Sequence, residues 1–368
     1  MTVYVVELEP VETRYTKQWK EFLPSQMLMA GLPVEVIEGP KDAPQDTTPG
    51  AFLNFSGTNY WKSEQLKTIA TMFAEGKIKD GDYFLYTDAW NPTVLQLKYM
   101  AELLGVKIKI GGMWHAGSYD SADFLGRLIG RAPWVRHTEK ALFHAFDQNF
   151  FATEFHVKMF FDELLHDGYP SENAWYEEDW AERYDNGKIV LVGWPMEYLE
   201  HMMIGYKSKP KRDLILFPHR IAPEKQLDIF KDLAKHLPQY EFVVCQERKL
   251  TKQEYHNMLG EAKMVFSANL QETLGISWYE GAVVGAIPLV PDRLSYSEMA
   301  LDTFKYPSEW TESYAAYDAH RPELCNVIMQ HIDHYDTRLQ KLQQQVDVLR
   351  ENFFSGKALY EAIRKQLL

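Results

Sequence analysis

The segment SANLQETLGISWYEGAVVGAIPLVPDR, residues 267–293, carries two glutamates, Glu272 and Glu280, with Gly275 and Ile276 between them. An apolar run that reads as a strand precedes Glu272, and Glu280 falls in what should be the next helix. In an open α/β sheet, the loops leaving the carboxyl ends of the strands form the ligand crevice. A helix beginning near Gly275 aims unpaired backbone N–H groups at an anion, and glycine lets a phosphate come close. Two carboxylates at this spacing suit the bracketing of a nucleotide sugar. A second segment, LILFPHRIAPEKQLDIF, puts Arg220 and Lys225 just after another strand-like run. Arginine offers a forked donor to phosphate oxygens and lysine a mobile point charge. Such a pair taken alone is more often surface charge, and its value lies in its place about fifty residues before Glu272.

The elements that must hold these residues follow an alternating pattern. Short β-rich apolar runs separate longer stretches of helical periodicity, the mark of a parallel sheet covered by helices on both faces. Strands are expected at 3–8, 33–38, 82–87, 106–111 and 188–193 in the first half, and at 213–218, 241–246, 264–269 and 286–291 in the second. Helices should fill about 15–30, 62–75, 93–104 and 153–166, and the Gln- and Leu-rich end from about Tyr335 should add one or two more. With 368 residues, two domains are the natural expectation. Residues 1–205 should form one Rossmann-like domain and 212–325 a second, with terminal helices over 326–368.

The paired glutamates, with Gly275 three places after the first and GAIPLVPD behind the second, resemble the signature of retaining GT-B glycosyltransferases. The resemblance implies two Rossmann-like domains with a donor-binding cleft between them, and a nucleotide sugar as co-substrate in place of a cofactor. It gives Glu272 the donor-sugar hydroxyls and Glu280 the nucleotide ribose, with Gly275 and Ile276 at the donor. Arg220 and Lys225 are similar to the pair that clamps the diphosphate in such enzymes. It also singles out His115, in IGGMWHAGSYD, because relatives often carry a histidine there that contacts the donor sugar; a lone histidine is otherwise more often structural. Charge neutralisation on the departing diphosphate should then dominate the chemistry, through Arg220, Lys225 and helix N–H groups. Front-face attack with retention follows from the resemblance alone. Asp80-Gly81-Asp82 precedes its strand and reads as a turn, so no catalytic metal is expected. No Walker A loop, His-Glu-x-x-His zinc motif or Gly-x-Ser-x-Gly elbow is present.

The acceptor is the least determined part. PHRIAPEK and the stretch ending PDRLSYSE look like the C-terminal half of tRNA-queuosine mannosyltransferases and like phage enzymes that glycosylate hydroxymethylated cytosine in DNA. A net charge of −13 disfavours nonspecific nucleic-acid binding. Two basic stretches stand out from it, GRLIGRAPWVRHTEK and YKSKPKR, and either can equally be a solvated surface or linker. If a base in DNA or tRNA is the acceptor, phosphates should ride on Arg127, Arg131 and Arg136, with Trp114 or Trp61 available to stack on a flipped base. Both tryptophans can instead belong to a core. The alternatives are a transferase acting on a surface saccharide or lipid-linked sugar, and a noncatalytic nucleotide-binding protein. Two cysteines, Cys245 and Cys325, and the lack of a leader-like or spanning apolar run lead us to expect a cytoplasmic chain, in a host cytoplasm if phage-encoded. No membrane association is expected, and the oligomeric state is left open.

Overall fold

A computed structural model describes residues 1–11, 14–44, 46, 54–165 and 187–367. The chain divides into two compact units, one of Met1–Met196 with the C-terminal segment from Ser355, the other of Glu197–Phe354. Each unit is a parallel sheet with helices packed around it.

In the first unit the described elements are β1 (Val3–Val6), α1 (Tyr15–Met29), β2 (Val34–Ile37), α2 (Phe55–Ala74), β3 (Tyr83–Tyr86), α3 (Thr93–Leu104), β4 (Lys109–Met113), α4 (Phe124–Ile129), α5 (Pro133–Ala145), β5 (Gln148–Phe151), α6 (Glu154–Phe160) and β6 (Ile189–Leu191). The strand order is β2-β1-β3-β4-β5-β6, parallel throughout. Strands buried on both faces read as unbroken apolar runs, which is why VYVV and YFLY were legible and are buried at every position. β4 lies further along the chain than the expected 106–111. Its KIGGM sequence looks like a loop, but aromatic rings occupy the space above its glycines. A Cβ on Gly111 would fall 2.0 Å from the Tyr83 hydroxyl, and one on Gly112 would fall 2.4 Å from the Phe146 ring. β5, QNFF, was not expected. Its amides are satisfied inside the fold, Gln148 by the Tyr83 hydroxyl at 2.8 Å and Asn149 by the Trp114 indole N–H at 2.9 Å.

The second unit runs α7 (Tyr198–Lys207), β7 (Arg212–Phe217), α8 (Leu227–His236), β8 (Glu241–Val244), α9 (Lys252–Glu261), β9 (Ala262–Phe266), α10 (Ile276–Val283), β10 (Ile287–Pro291), α11 (Tyr296–Met299), β11 (Lys305–Tyr306), α12 (Tyr314–Asp333) and α13 (Tyr335–Asn352). Its strand order is β11-β10-β9-β7-β8, again parallel. α7 packs on α9 and α10, so the compact second unit begins before the 205–212 connector. α14 (Lys357–Gln366) returns to the first unit, where the Arg364 guanidinium donates to the Ala30 carbonyl. The stretch after 326 is therefore shared between the two units.

Both sheets have a switch point, where successive crossovers leave a strand in opposite directions: between β1 and β3 in the first sheet and between β7 and β9 in the second. Ligand crevices form outside the carboxyl ends of strands at such points. Asp80 and Asp82 do the work of a turn: their carboxylates accept backbone N–H groups of Lys107, Lys79 and Thr2, each at 2.8 Å, around Gly81 at φ +86°.

Candidate functional site at the second switch point

The loop after β7 carries His219, Arg220 and Lys225, and the loop after β9 carries Asn269, Gln271, Glu272 and Gly275. The two loops are joined by Lys225. This lysine ends a short 3₁₀ turn, Pro223–Lys225, and is buried. Its ammonium donates to the Gln271 carbonyl and lies 3.4 Å from Glu272 Oε2. Glu272 also accepts the Gly275 N–H at 3.0 Å and an Asn269 amide N–H at 3.4 Å. Burial works to raise the Glu272 pKa, but the Lys225 ammonium and a backbone N–H hold the carboxyl below its ordinary value. Glu272 therefore stays ionised at neutral pH.

Gly275 sits at φ +84°, where L side chains are strained. A Cβ there would meet the Trp278 indole at 2.1 Å. The position admits only glycine, and it opens α10, whose first residue, half-buried Ile276, heads a turn of amides without intrahelical acceptors. Arg220 is oriented by Glu224, a buried carboxylate reached from Arg220 Nε at 3.1 Å and from Nη2 at 2.5 Å. Nothing in the sequence singles out Glu224, because its importance rests on burial.

Glu280 lies one helical turn inside α10 and is buried. Lys252 Nζ reaches its Oε1 at 2.9 Å, the Tyr255 hydroxyl donates to its Oε2 at 3.1 Å, and His256 Nε2 stands 3.7 Å away. Burial again pushes the carboxyl up, and Lys252 and His256 overcome it, drawing the pKa down to about 2. The three partners lie on α9, which opens with a Thr251–Glu254 capping box. Their spacing marks one face of a helix, but no sequence signal links that face to Glu280. A carboxylate has about four acceptor sites, so Glu280 retains capacity for a ligand hydroxyl.

Other residues singled out by the sequence lie elsewhere. His115 follows β4 in the first unit and has both ring nitrogens engaged. Nε2 lies against the Thr87 carbonyl, which can only accept, so Nε2 carries the proton and Nδ1 accepts the Tyr15 hydroxyl at 2.6 Å. Burial lowers the His115 pKa and keeps the ring neutral. Trp114 and Trp61 are core residues: Trp114 stacks on Phe151 at 6.1 Å, Trp61 donates to the Glu7 carbonyl at 3.1 Å, and neither ring presents a face to solvent. Arg127, Arg131 and Arg136 are exposed along α4 and α5, beside Leu128 and Trp134, which is 58% exposed. Arg127 and Arg136 each donate to one backbone carbonyl, of Ala122 and Glu163. In the other basic stretch, Lys211 donates to the Ala262 and Val284 carbonyls and Arg212 pairs with Glu241 and Glu261. Both side chains are therefore engaged within the second unit. Among the described residues no cluster of three His, Cys, Asp or Glu side chains has metal-binding geometry, and no described helix is long and apolar enough to cross a membrane.

No family model matches this sequence, nor does any curated protein sequence. Solved structures do match over the whole chain. The catalytic domain of starch synthase IV from Arabidopsis thaliana, bound to ADP and acarbose, aligns with a TM-score of 0.58 at 11% identity, over 100% of this chain and 99% of its own. Sucrose-phosphate synthase from Thermosynechococcus elongatus aligns at 0.60 and 11% identity, over 99% and 98%. WaaG, a glycosyltransferase of lipopolysaccharide biosynthesis, aligns at 0.53 and 11% identity, over 98% of each chain. The chain has the two-domain α/β fold of GT-B glycosyltransferases.

The Glu280 network makes a prediction about acid stability. A carboxyl whose pKa falls on folding stabilises the native state above its unfolded pKa, and that stabilisation is lost as pH drops through the folded value. The contribution of Glu280 should be present at pH 7, about 3 kcal/mol, and should fade from about pH 4.5 toward pH 2. Denaturant unfolding between pH 7 and pH 3 should show a shallower acid-side loss in Glu280→Gln than in the wild type. Parallel curves would mean that folding does not lower the Glu280 pKa.

Proposed function

We propose that this chain transfers a glycosyl group from a nucleotide-sugar donor to a hydroxyl acceptor, with the donor held by the second unit at the β7/β9 switch point. The observation that supports this most is the contact of Lys225 with Glu272, which in turn holds the Gly275 start of α10, where the loops leaving β7 and β9 meet at the switch point, with Arg220 on the same β7 loop. Two cations and a helix start suit a diphosphate. The ionised Glu272, half-buried in the loop between them, suits sugar hydroxyls, and Glu280 suits the ribose.

In this reading the bond between the anomeric carbon and the diphosphate breaks through an oxocarbenium-like state. Negative charge grows on the leaving phosphate, and preorganised cations stabilise it most at that point. Glu224 holds Arg220 in place, and Lys225 is already desolvated. Attack occurs on the face the diphosphate leaves, with the leaving phosphate taking the acceptor proton, so that configuration is retained.

Arg220→Ala and Lys225→Ala should each cost about 2–4 kcal/mol of transition-state stabilisation, read as a fall in kcat/KM for donor hydrolysis, and Glu272→Gln should nearly abolish transfer. Unchanged kinetics in the two cation variants would move the diphosphate site elsewhere. These cations take the neutralising role that a divalent metal plays in other transferases, so activity should survive a chelator. Complete loss, reversed by adding back a divalent ion, would overturn that reading.

For the acceptor we infer a hydroxymethylated pyrimidine in DNA, ahead of a tRNA base. Arg127, Arg131 and Arg136 would carry phosphates, with Trp134 in place of the buried Trp114 as the ring open to stacking. Neutralising the three arginines should weaken acceptor binding and flatten its salt dependence while donor affinity holds. Transfer to hydroxymethylated DNA, unmodified DNA, tRNA and an oligosaccharide should label the first. Labelling of the oligosaccharide alone would replace this acceptor with a glycan.

A further inference from the structure

His219 occupies the second position after β7, beside Arg220 and within electrostatic reach of Lys225 and Glu272. It is 5% exposed, and its ring packs edge-on against Phe217 at 5.1 Å. One ring nitrogen is hydrogen-bonded to the backbone of Phe266, whose N–H is committed within the parallel sheet, so the imidazole donates to the carbonyl. The other nitrogen, Nε2, has no hydrogen-bond partner. Burial and the neighbouring Lys225 lower the His219 pKa to about 3, which leaves the ring neutral. A neutral imidazole that donates through one nitrogen has a bare lone pair on the other. Nε2 is thus a hydrogen-bond acceptor waiting for an O–H or N–H.

A second orphan lies across the same loops. Asn269 is fully buried, and its Nδ2 group donates to the Tyr296 hydroxyl at 3.0 Å and to Glu272 at 3.4 Å. Its Oδ1 accepts from nothing. Buried polar atoms are rarely left unpaired, because each forfeits the hydrogen bonds it made to water. Two unpaired acceptors near Glu272, one on the loop after β7 and one on the loop after β9, suit a group that brings its own donors. A diphosphate brings none at neutral pH. A sugar brings several.

We propose that His219 is a donor-recognition residue whose Nε2 accepts a hydroxyl of the transferred glycosyl group next to the hydroxyls taken by Glu272. This rests on the donor-site reading above and adds to it that the glycosyl group, and not the nucleotide, is read by the loop after β7. A site that hydrogen-bonds a substrate hydroxyl also rejects the analogue lacking it, since the buried acceptor is then left bare.

The test uses the whole protein and the probes UDP-glucose, ADP-glucose and GDP-mannose, each beside its free diphosphate UDP, ADP or GDP, with binding measured by calorimetry. His219→Asn keeps an amide donor where Nδ1 bonds the Phe266 carbonyl but removes Nε2. For the sugar nucleotide that binds the wild type, affinity should fall about tenfold or more in His219→Asn, while affinity for the matching free diphosphate stays within about twofold. His219→Gln, which returns an amide oxygen near the Nε2 position, should recover part of the loss. Equal weakening of sugar nucleotide and free diphosphate, or no change in either, would overturn the role given to His219 while leaving the donor site in place. Failure of all six probes to bind the wild type would overturn the donor site, and His219's role with it. Thermal melting of both variants close to the wild type would show that the binding change is not a folding defect, and melting far below it with no residual binding would count against a recognition role.

Discussion

A buried ammonium has to be answered by its surroundings, and the way Lys225 is answered organises the second unit. Desolvating a lysine is costly unless acceptors replace its water. Here the acceptors are the Gln271 backbone and the Glu272 carboxylate, both on the loop after the neighbouring strand β9. The contact ties together two loops whose strands diverge in connection at the switch point. It also fixes Glu272 close to the Gly275 amide, which sets the start of α10. Removing the Glu272 carboxylate would leave the buried Lys225 ammonium with Gln271 as its partner and no countercharge, so the pair constrains shape as well as charge.

The same loops are held by two further devices. Gln226 adopts a left-handed conformation at φ 52°, costly for a residue with a side chain. Its amide offsets that by donating to the Ala268 and Thr311 carbonyls, each at 2.6 Å. Arg293 spreads its guanidinium over the Asn269, Ser308 and Ala268 carbonyls at 2.7–2.9 Å. Segments far apart in sequence, after β7, β9 and β10, are thereby locked around Glu272. Positioning at this level is what electrostatic stabilisation of a transition state requires, since dipoles that must reorganise lose much of their effect.

Much of this was legible in the sequence because parallel strands are buried on both faces and announce themselves as apolar runs. Eight of the strands lie where such runs place them to within a few residues, and α1 and α3 fall where their periodicity puts them. The failures share a cause. β4 with its paired glycines and β5 with its two amides are strands only because aromatic rings and buried partners complete them. Within the site, Arg220, Lys225, Glu272 and Gly275 were readable from residue type and distance along the chain. Glu224, Lys252, Tyr255 and Arg293 were not, since a charged residue on the surface and one buried against a partner look alike in sequence. For the same reason Trp114 could not be told apart from a ring open to stacking.

The two glutamates that first drew notice differ in a way their spacing conceals. Glu280 is buried, with Lys252, Tyr255 and His256 of one capped helix as its neighbours. It is a fixed acceptor, suited to a part of a ligand that stays put. Glu272 is more open, 19% exposed at its side chain against 5% for Glu280, and its cationic partner stands at 3.4 Å, longer than the 2.9 Å of the Lys252–Glu280 contact. A looser pair is one whose members can each take a new partner: Lys225 an anionic oxygen, Glu272 a hydroxyl. In the proposed donor site both exchanges would leave no bare charge, because each ligand group replaces the interaction it displaces. The Lys225–Glu272 contact thus holds the two loops in one arrangement, the arrangement that the proposed donor site uses.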